Sequence, residues 1–312
     1  MQASSHLPPD SPVLIVSPHL DDAWLSTAAL IRHSQAEVWT VFAGAPIPAV
    51  ATDWDRTCGF ADSAETMAAR LAEDLAAFAD VDVVVRHLPY LDAAYADGPT
   101  RRLQTRGLRD DLTAWLGQHP DGLLALPICA GVHVAPAFWE TLRERVRGEG
   151  GAMTPNDALK SSTATDQAGV CGRPEVKALA AQTVRRLMHA DHQRRRRKAQ
   201  RRGMAANPDH VLVRGTGLEV ASAVGTDVLF WEDLPYLWHA RGHDQARRLA
   251  TASTLDLIEL TLPVDVEDKY ARLQKYTSQV DVLDPIERRL STPGHLPTTE
   301  TYWLGRRRDD HD

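Results

Sequence analysis

Cysteine, lysine and long apolar runs are scarce in this 312-residue chain, and each scarcity removes a class of protein. Cys58, Cys129 and Cys171 stand far apart with no CxxC pair. That spacing excludes a zinc ribbon and a disulfide framework, and it points to a reducing compartment. Only five of the 35 basic residues are lysine (Lys160, Lys177, Lys198, Lys269 and Lys275), and the net charge is −7, which speaks for solubility and says little about partners. The longest charge-free run, Gly122 to Trp139, contains Pro127, His133 and Pro136, so it reads as a buried strand with its following loop and not as a membrane span. Residues 1–12 lack the basic start and apolar stretch of a secretory signal, and a cytoplasmic location is expected. No GxxxxGK[ST] occurs, and Gly215-Thr216-Gly217 lacks the third glycine of a dinucleotide fingerprint. No internal repeat is visible.

What is present is an ordinary folded composition, 43% hydrophobic and 25% charged. Val13 to Ser17 is an unbroken apolar run between prolines, the mark of a strand covered on both faces. A helix over 21–34, a strand over 37–43, a helix over 64–79, a strand over 82–88, a helix over 101–118, a strand over 123–128 and a helix over 138–146 follow in alternation. That rhythm predicts an α/β fold: a doubly wound, Rossmann-like, mostly parallel sheet flanked by helices. Residues 148–173 are small and polar, and 174–202 read as a helix that turns intensely basic at Arg194 to Lys198. Residues 148–206 are therefore expected to be a mobile, basic insertion in a single domain. A short helix opens at Pro208, strands follow over 227–231 and 257–262, and a helix over 266–280; residues 305–312 read as a disordered tail.

Ligands of such folds sit beyond the carboxyl ends of the strands. The first strand ends in Ser17-Pro18-His19-Leu20-Asp21-Asp22, one imidazole and two carboxylates within four residues. Zinc accepts both donor types and needs about three protein ligands with an open position. His19 and one aspartate supply two, and the other aspartate is placed to accept a proton from water. One of the two carboxylates also suits a helix cap. A third ligand must come from elsewhere. His6, His33, His87, His119, His189, His192 and His311 read as surface or tail residues. His210, in the first turn of a helix opened by Asn207-Pro208-Asp209, and His133, just after the fourth strand, stand out.

Pro18-His19-x-Asp21-Asp22 with a distant Pro208-Asp209-His210 resembles the PIG-L (LmbE-like) deacetylases, metal-dependent hydrolases of N-acetylated sugars. Phe42-Ala43-Gly44, Trp54-Asp55 with Cys58-Gly59-Phe60, Arg70-x-x-Glu73-Asp74, Glu232-Asp233-Leu234-Pro235-Tyr236 and Lys269 with Tyr276-x-Ser278-Gln279 extend the match over most of the chain outside the insertion. The resemblance implies Zn2+, or another divalent first-row ion, held by His19, Asp22 and His210, with Asp21 as general base. It adds Asp209 of the second motif to the catalytic set. It implies substrate contacts from Arg70 and Asp92, although Arg70 also has Glu73 and Asp74 as helix partners and Asp92 also suits a turn. One departure is Asn207, where relatives have histidine: an amide can donate to an oxyanion but delivers no proton. The acid is then Asp21 once protonated, or a group such as His133 at the substrate.

The expected reaction is removal of an N-acetyl or other N-acyl group from an amino sugar or glycoconjugate. An amidase of a sugar–thiol conjugate and a non-catalytic ligand-binding relative are the alternatives. Trp54, Trp231 and Trp238 suit a sugar face or the core. Arginine clustering at 194–202 suits phosphate, but no aromatic interleaving or nucleic-acid motif accompanies it, so no nucleic-acid partner is expected. Oligomeric state is not legible.

Overall fold

The computed structural model of the chain describes residues 11–32, 35–129, 194, 206–238, 242–253 and 255–307. The chain divides into two compact units, one made of residues 1–131 and 206–312 and the other of 132–205. All but Arg194 of the second unit lies outside the described residues. Apart from Arg194 and Ala206, the expected insertion, its basic run and the helices over 138–146 and 174–202 fall there too.

The first unit is built on a seven-stranded sheet: β1 (Val13–Ser17), β2 (Ala36–Thr40), β3 (Val84–His87), β4 (Leu123–Pro127), β5 (Val228–Trp231), β6 (Leu255–Pro263) and β7 (Thr299–Arg307), in the order β3-β2-β1-β4-β5-β7-β6. β1 to β5 run parallel, and β7 pairs antiparallel with both β5 and β6. This is the mostly parallel α/β sheet expected from the alternation. Strand order reverses direction at β1, between β2 and β4.

All five β1 residues are buried. Side chains alternate across a strand, so Val13 and Ile15 join one core with Trp24, Leu30 and Leu273, while Leu14 and Val16 join another with Leu112, Val213 and Val220. The first core is covered by α1 (Asp22–Ser26), α2 (Ala28–Ile31) and, further along, α8 (Val266–Leu273). The second is covered by α5 (Gly98–Gln118) and α6 (Pro208–Val224). The remaining α-helices among the described residues are α3 (Asp53–Thr57), α4 (Ser63–Phe78), α7 (Gly242–Ala252) and α9 (Val280–Leu283).

Helix α6 aims the second motif. Asn207 caps it through Oδ1, which accepts the Asp209 N–H at 2.9 Å, and Pro208 takes the first turn, where its missing N–H costs nothing. Gly217 lets the helix approach β4: a Cβ there would lie 2.6 Å from Leu126 Cδ2. Gly225, at φ +92°, ends the helix in the left-handed conformation.

Local differences from the sequence reading have physical causes. The expected helix over 21–34 breaks into α1 and α2 at Thr27, whose hydroxyl donates to the Ala23 carbonyl at 2.7 Å. The expected helix over 266–280 ends at Leu273 and resumes as α9 after a turn. Gly305, Arg306 and Arg307, placed in the expected tail, instead pair with β6 and complete β7, and residues 308–312 lie outside the described residues. Buried Lys269 donates to Glu300 at 2.7 Å, and Glu300 also accepts the Ala28 and Ala29 N–H groups and the Tyr302 hydroxyl, tying α8, α2 and β7 together. Cys58 and Cys129 are free thiols; Cys171 lies outside the described residues. Among the described residues no helix is long and apolar enough to cross a membrane.

Candidate metal centre

The loops beyond β1, β3 and β5 and the first turn of α6 converge at the carboxyl ends of the parallel strands. After β1, the carboxylate of Asp22 folds back on its own loop, where Oδ2 accepts the His19 N–H at 2.9 Å and lies 3.0 Å from His19 Nδ1. From α6, His210 Nε2 comes within 3.1 Å of the same oxygen. His19, Asp22 and His210 are all buried, and each offers a ligand atom within 4.8 Å of the others'. Ligands of a tetrahedral ion with bonds of about 2.0 Å stand about 3.3 Å apart, close to the two separations observed.

Each imidazole is steered by a carboxylate on its far side. Asp233 Oδ2 lies 2.7 Å from His210 Nδ1, and its Oδ1 accepts the Cys129 N–H at 3.0 Å. Accepting the Nδ1 proton leaves a lone pair on Nε2, the form a metal binds. His210 Nε2 is buried and makes no hydrogen bond. Asp209 Oδ2 plays the same part at 3.2 Å from His19 Nε2 and is itself fixed by the Ala93 N–H at 3.1 Å. Its other oxygen pairs with Arg101.

Asp21 stands at the N-cap position of α1, but its side chain makes no capping hydrogen bond. It faces Arg70, whose Nη2 lies 4.0 Å from Oδ1. Arg70 is buried on α4, and its Nε has no hydrogen-bond partner. The possible helix partners of Arg70 are engaged elsewhere: Asp74 with Tyr276 and His87, Glu73 with Thr277 and Ser278. Asp92 takes the turn role, and its second oxygen turns toward the site. Oδ1 accepts the Ala94 N–H in a turn, and Oδ2 faces His19 Nε2 at 3.4 Å.

Five carboxylates (Asp21, Asp22, Asp92, Asp209, Asp233) thus meet two guanidinium groups (Arg70, Arg101), an excess of three negative charges with the imidazoles neutral. The field is visible in proton affinities. Burial alone lowers the His19 pKa, but the contacts with Asp209 and Asp22 outweigh it and hold the ring well above the usual histidine value. Burial likewise works against His210, yet the charge of Asp22 beside Nε2, with Asp233 at Nδ1, pushes it up to about 9. Burial raises Asp22, but the two histidines hold it well below the carboxylate range. Burial and then the charge of Asp22 push Asp21 up to about 6, against the pull of Arg70. A pocket that draws two buried imidazoles toward their cationic forms fits a divalent cation by charge as well as by donor type.

Sequence reading placed no individual role on Asp233, which entered only within the Glu232-to-Tyr236 match just past β5, and none on Arg101, because only the fold brings α5 to α6. Asn207 spends both ends of its amide locally, Oδ1 on the cap and Nδ2 on the Tyr236 hydroxyl at 3.1 Å. Trp231 is wholly buried and bonded to the Ala125 carbonyl, and Trp238 stacks on Arg289 at 3.9 Å. Trp54 is half-buried at α3. His133 lies outside the described residues.

No protein-family model matches the sequence, and no curated protein matches it. Solved structures do match. Over 96% of this chain and 100% of theirs, it is similar to the zinc-inhibited form of teicoplanin deacetylase Orf2 (TM-score 0.60, 20% identity) and to a deacetylase–teicoplanin complex (TM-score 0.56, 21% identity). It is also similar to the A40926 pseudoaglycone deacetylase Dbv21, with TM-score 0.55 and 19% identity over 96% of this chain and 99% of that one. The chain therefore has the α/β fold of these deacetylases.

Proposed function

We propose that this protein is a divalent-metal-dependent N-deacylase of the PIG-L kind, removing an acetyl or other acyl group from an amino sugar or glycoconjugate. The single observation that carries the reading is the buried His19–Asp22–His210 triad with the carboxylate of Asp21 beside it. The neighbours' names, teicoplanin and A40926 pseudoaglycone deacetylases, support a large conjugate as substrate.

His19, Asp22 and His210 would hold the ion, with zinc the proposed one, although two imidazoles and a carboxylate also accept other first-row ions. Such an ion, when bound, acidifies water and polarises an amide carbonyl. The chain's own groups do the rest. Asp21, whose burial and Asp22 neighbour make it more basic than an ordinary carboxylate, takes the proton of the attacking water. The protonated Asp21 then delivers that proton to the departing amine nitrogen, so no second acid is needed where relatives have histidine. Arg70 has an unused buried Nε–H for a substrate oxygen, and Asp92 is half-open at the loop after β3. Asp209 and Asp233 hold the two ligand rings in place and are positioning residues.

Elemental analysis of wild type against Asp22→Ala tests the centre, followed by amine and acid release from N-acetyl amino sugars and larger N-acyl glycoconjugates. One ion per chain, lost in the variant, with acid released from at least one substrate, is expected. Because Orf2 has a zinc-inhibited form, zinc is held near one equivalent in that assay. Absence of bound ion after incubation with zinc, cobalt and manganese would contradict the proposal.

A further inference from the structure

The His19 ring has acidic neighbours at both nitrogens, and the centre described above uses one side. Across the ring, Nε2 lies 3.2 Å from Asp209 Oδ2 and 3.4 Å from Asp92 Oδ2. These separations also bracket the edge of about 3.3 Å between tetrahedral zinc ligands. The three side chains each offer a ligand atom within 4.8 Å of the others', as the first group does. Both carboxylates are held by one short stretch of backbone: Asp209 Oδ2 by the Ala93 N–H at 3.1 Å, and Asp92 Oδ1 by the Ala94 N–H at 2.7 Å, which leaves Asp92 Oδ2 turned to the ring.

We propose that His19 Nε2, Asp92 Oδ2 and Asp209 Oδ2 form a second, weaker site for a divalent cation of the zinc type. The charge balance sets the order of binding. One divalent ion reduces the pocket's excess from three negative charges to one, and a second, which displaces the His19 ring proton, carries it only to neutrality, so the second gains less than the first. Arg101, paired with Asp209 Oδ1, works against the second ion as well. That ion takes the place of the proton Nε2 shares with Asp209, and the proton leaves to solvent. Occupancy ties up Asp92 and loads His19 from both sides, so the second ion inhibits the enzyme. The inhibition rests on the function proposed above; the existence of the site does not.

The test is equilibrium dialysis of the full chain against zinc alone, with bound metal counted by elemental analysis. Wild type is expected to bind two ions with dissociation constants roughly tenfold or more apart. Asp92→Asn is expected to bind one, at the tighter site and weakened only by the loss of one nearby negative charge, and Asp22→Asn to lose the tighter one. Asp92→Ser, whose hydroxyl can still accept the Ala94 N–H, guards against a folding defect in the first variant. Saturation of wild type at one ion overturns the second site and leaves the first standing. Two ions retained in both Asp92 variants overturn its location, and no bound ion overturns both centres.

Discussion

Asn207 donates its side-chain amide to the Tyr236 hydroxyl at 3.1 Å while its carbonyl oxygen caps α6. One residue therefore joins the start of the helix carrying His210 to the segment after β5 carrying Asp233. Asn207→Ala removes both bonds and is expected to cost about 1 kcal/mol in urea unfolding. Asn207→Ser keeps a capping oxygen and should recover most of that. Equal stability of the alanine variant and wild type would show that the cap does not set the helix start.

Asp233 fixes the His210 ring from its far side at 2.7 Å. Asp233→Asn keeps the volume and weakens the charge-assisted bond, so metal affinity is expected to fall roughly 10–100-fold. Competition with a chelator of known affinity reads this without a substrate. An unchanged affinity would remove Asp233 from the centre.

Two glycines in α6 should respond with opposite sign. At Gly215 an added Cβ meets nothing within 4 Å, so Gly215→Ala gains helix propensity, about 0.5–1 kcal/mol. At Gly217 the same methyl meets Leu126 at 2.6 and 2.7 Å, and Leu126 is wholly buried and unable to turn aside. Overpacking of about 1–3 kcal/mol exceeds the propensity gain, and Gly217→Ala is expected to lower the Tm. Stabilisation by both variants would mean that α6 does not press on β4.

Asp55 is buried and accepts hydroxyl bonds from Tyr95 at 2.5 Å and from Thr66 and Thr52 at 2.7 Å, linking α3, α4 and the loop after β3. Burial raises its pKa, but these bonds outweigh burial and hold it below the usual carboxylate value. A folded-state pKa below the unfolded one stabilises the protein above the unfolded value, about 3.9, and that contribution fades as pH falls through the folded value. The stability gap between wild type and Asp55→Asn is therefore expected to be widest near neutrality and to narrow below about pH 4. A gap independent of pH would contradict this.

Short-range signals carried much of the fold. β1 was legible because both faces are covered and its five residues are uniformly apolar, and the β/α alternation announced the parallel sheet. Placement of β7 between β5 and β6 was not legible, because antiparallel pairing across more than 30 residues leaves no local trace. The break at Thr27 was invisible for a similar reason, since it depends on a side chain bonding its own helix. In the site, His19 and Asp22 stood out by proximity in sequence, and the fold brings His210 to them. Arg101 and Asp233 matter only through neighbours 108 and 23 residues away in sequence, Asp209 and His210, and composition says nothing of such meetings.

The sharpest test is acid release by the metal-loaded protein from an N-acylated amino-sugar conjugate, measured beside Asp21→Asn with metal content verified in both. Wild type should release acid and free amine in equal amounts. Asp21→Asn should retain its ion and lose activity by roughly a hundredfold or more, since it can neither take nor return the proton. Equal rates in the two proteins, or no release by fully loaded wild type from any N-acyl sugar or glycoconjugate, would contradict the deacylase.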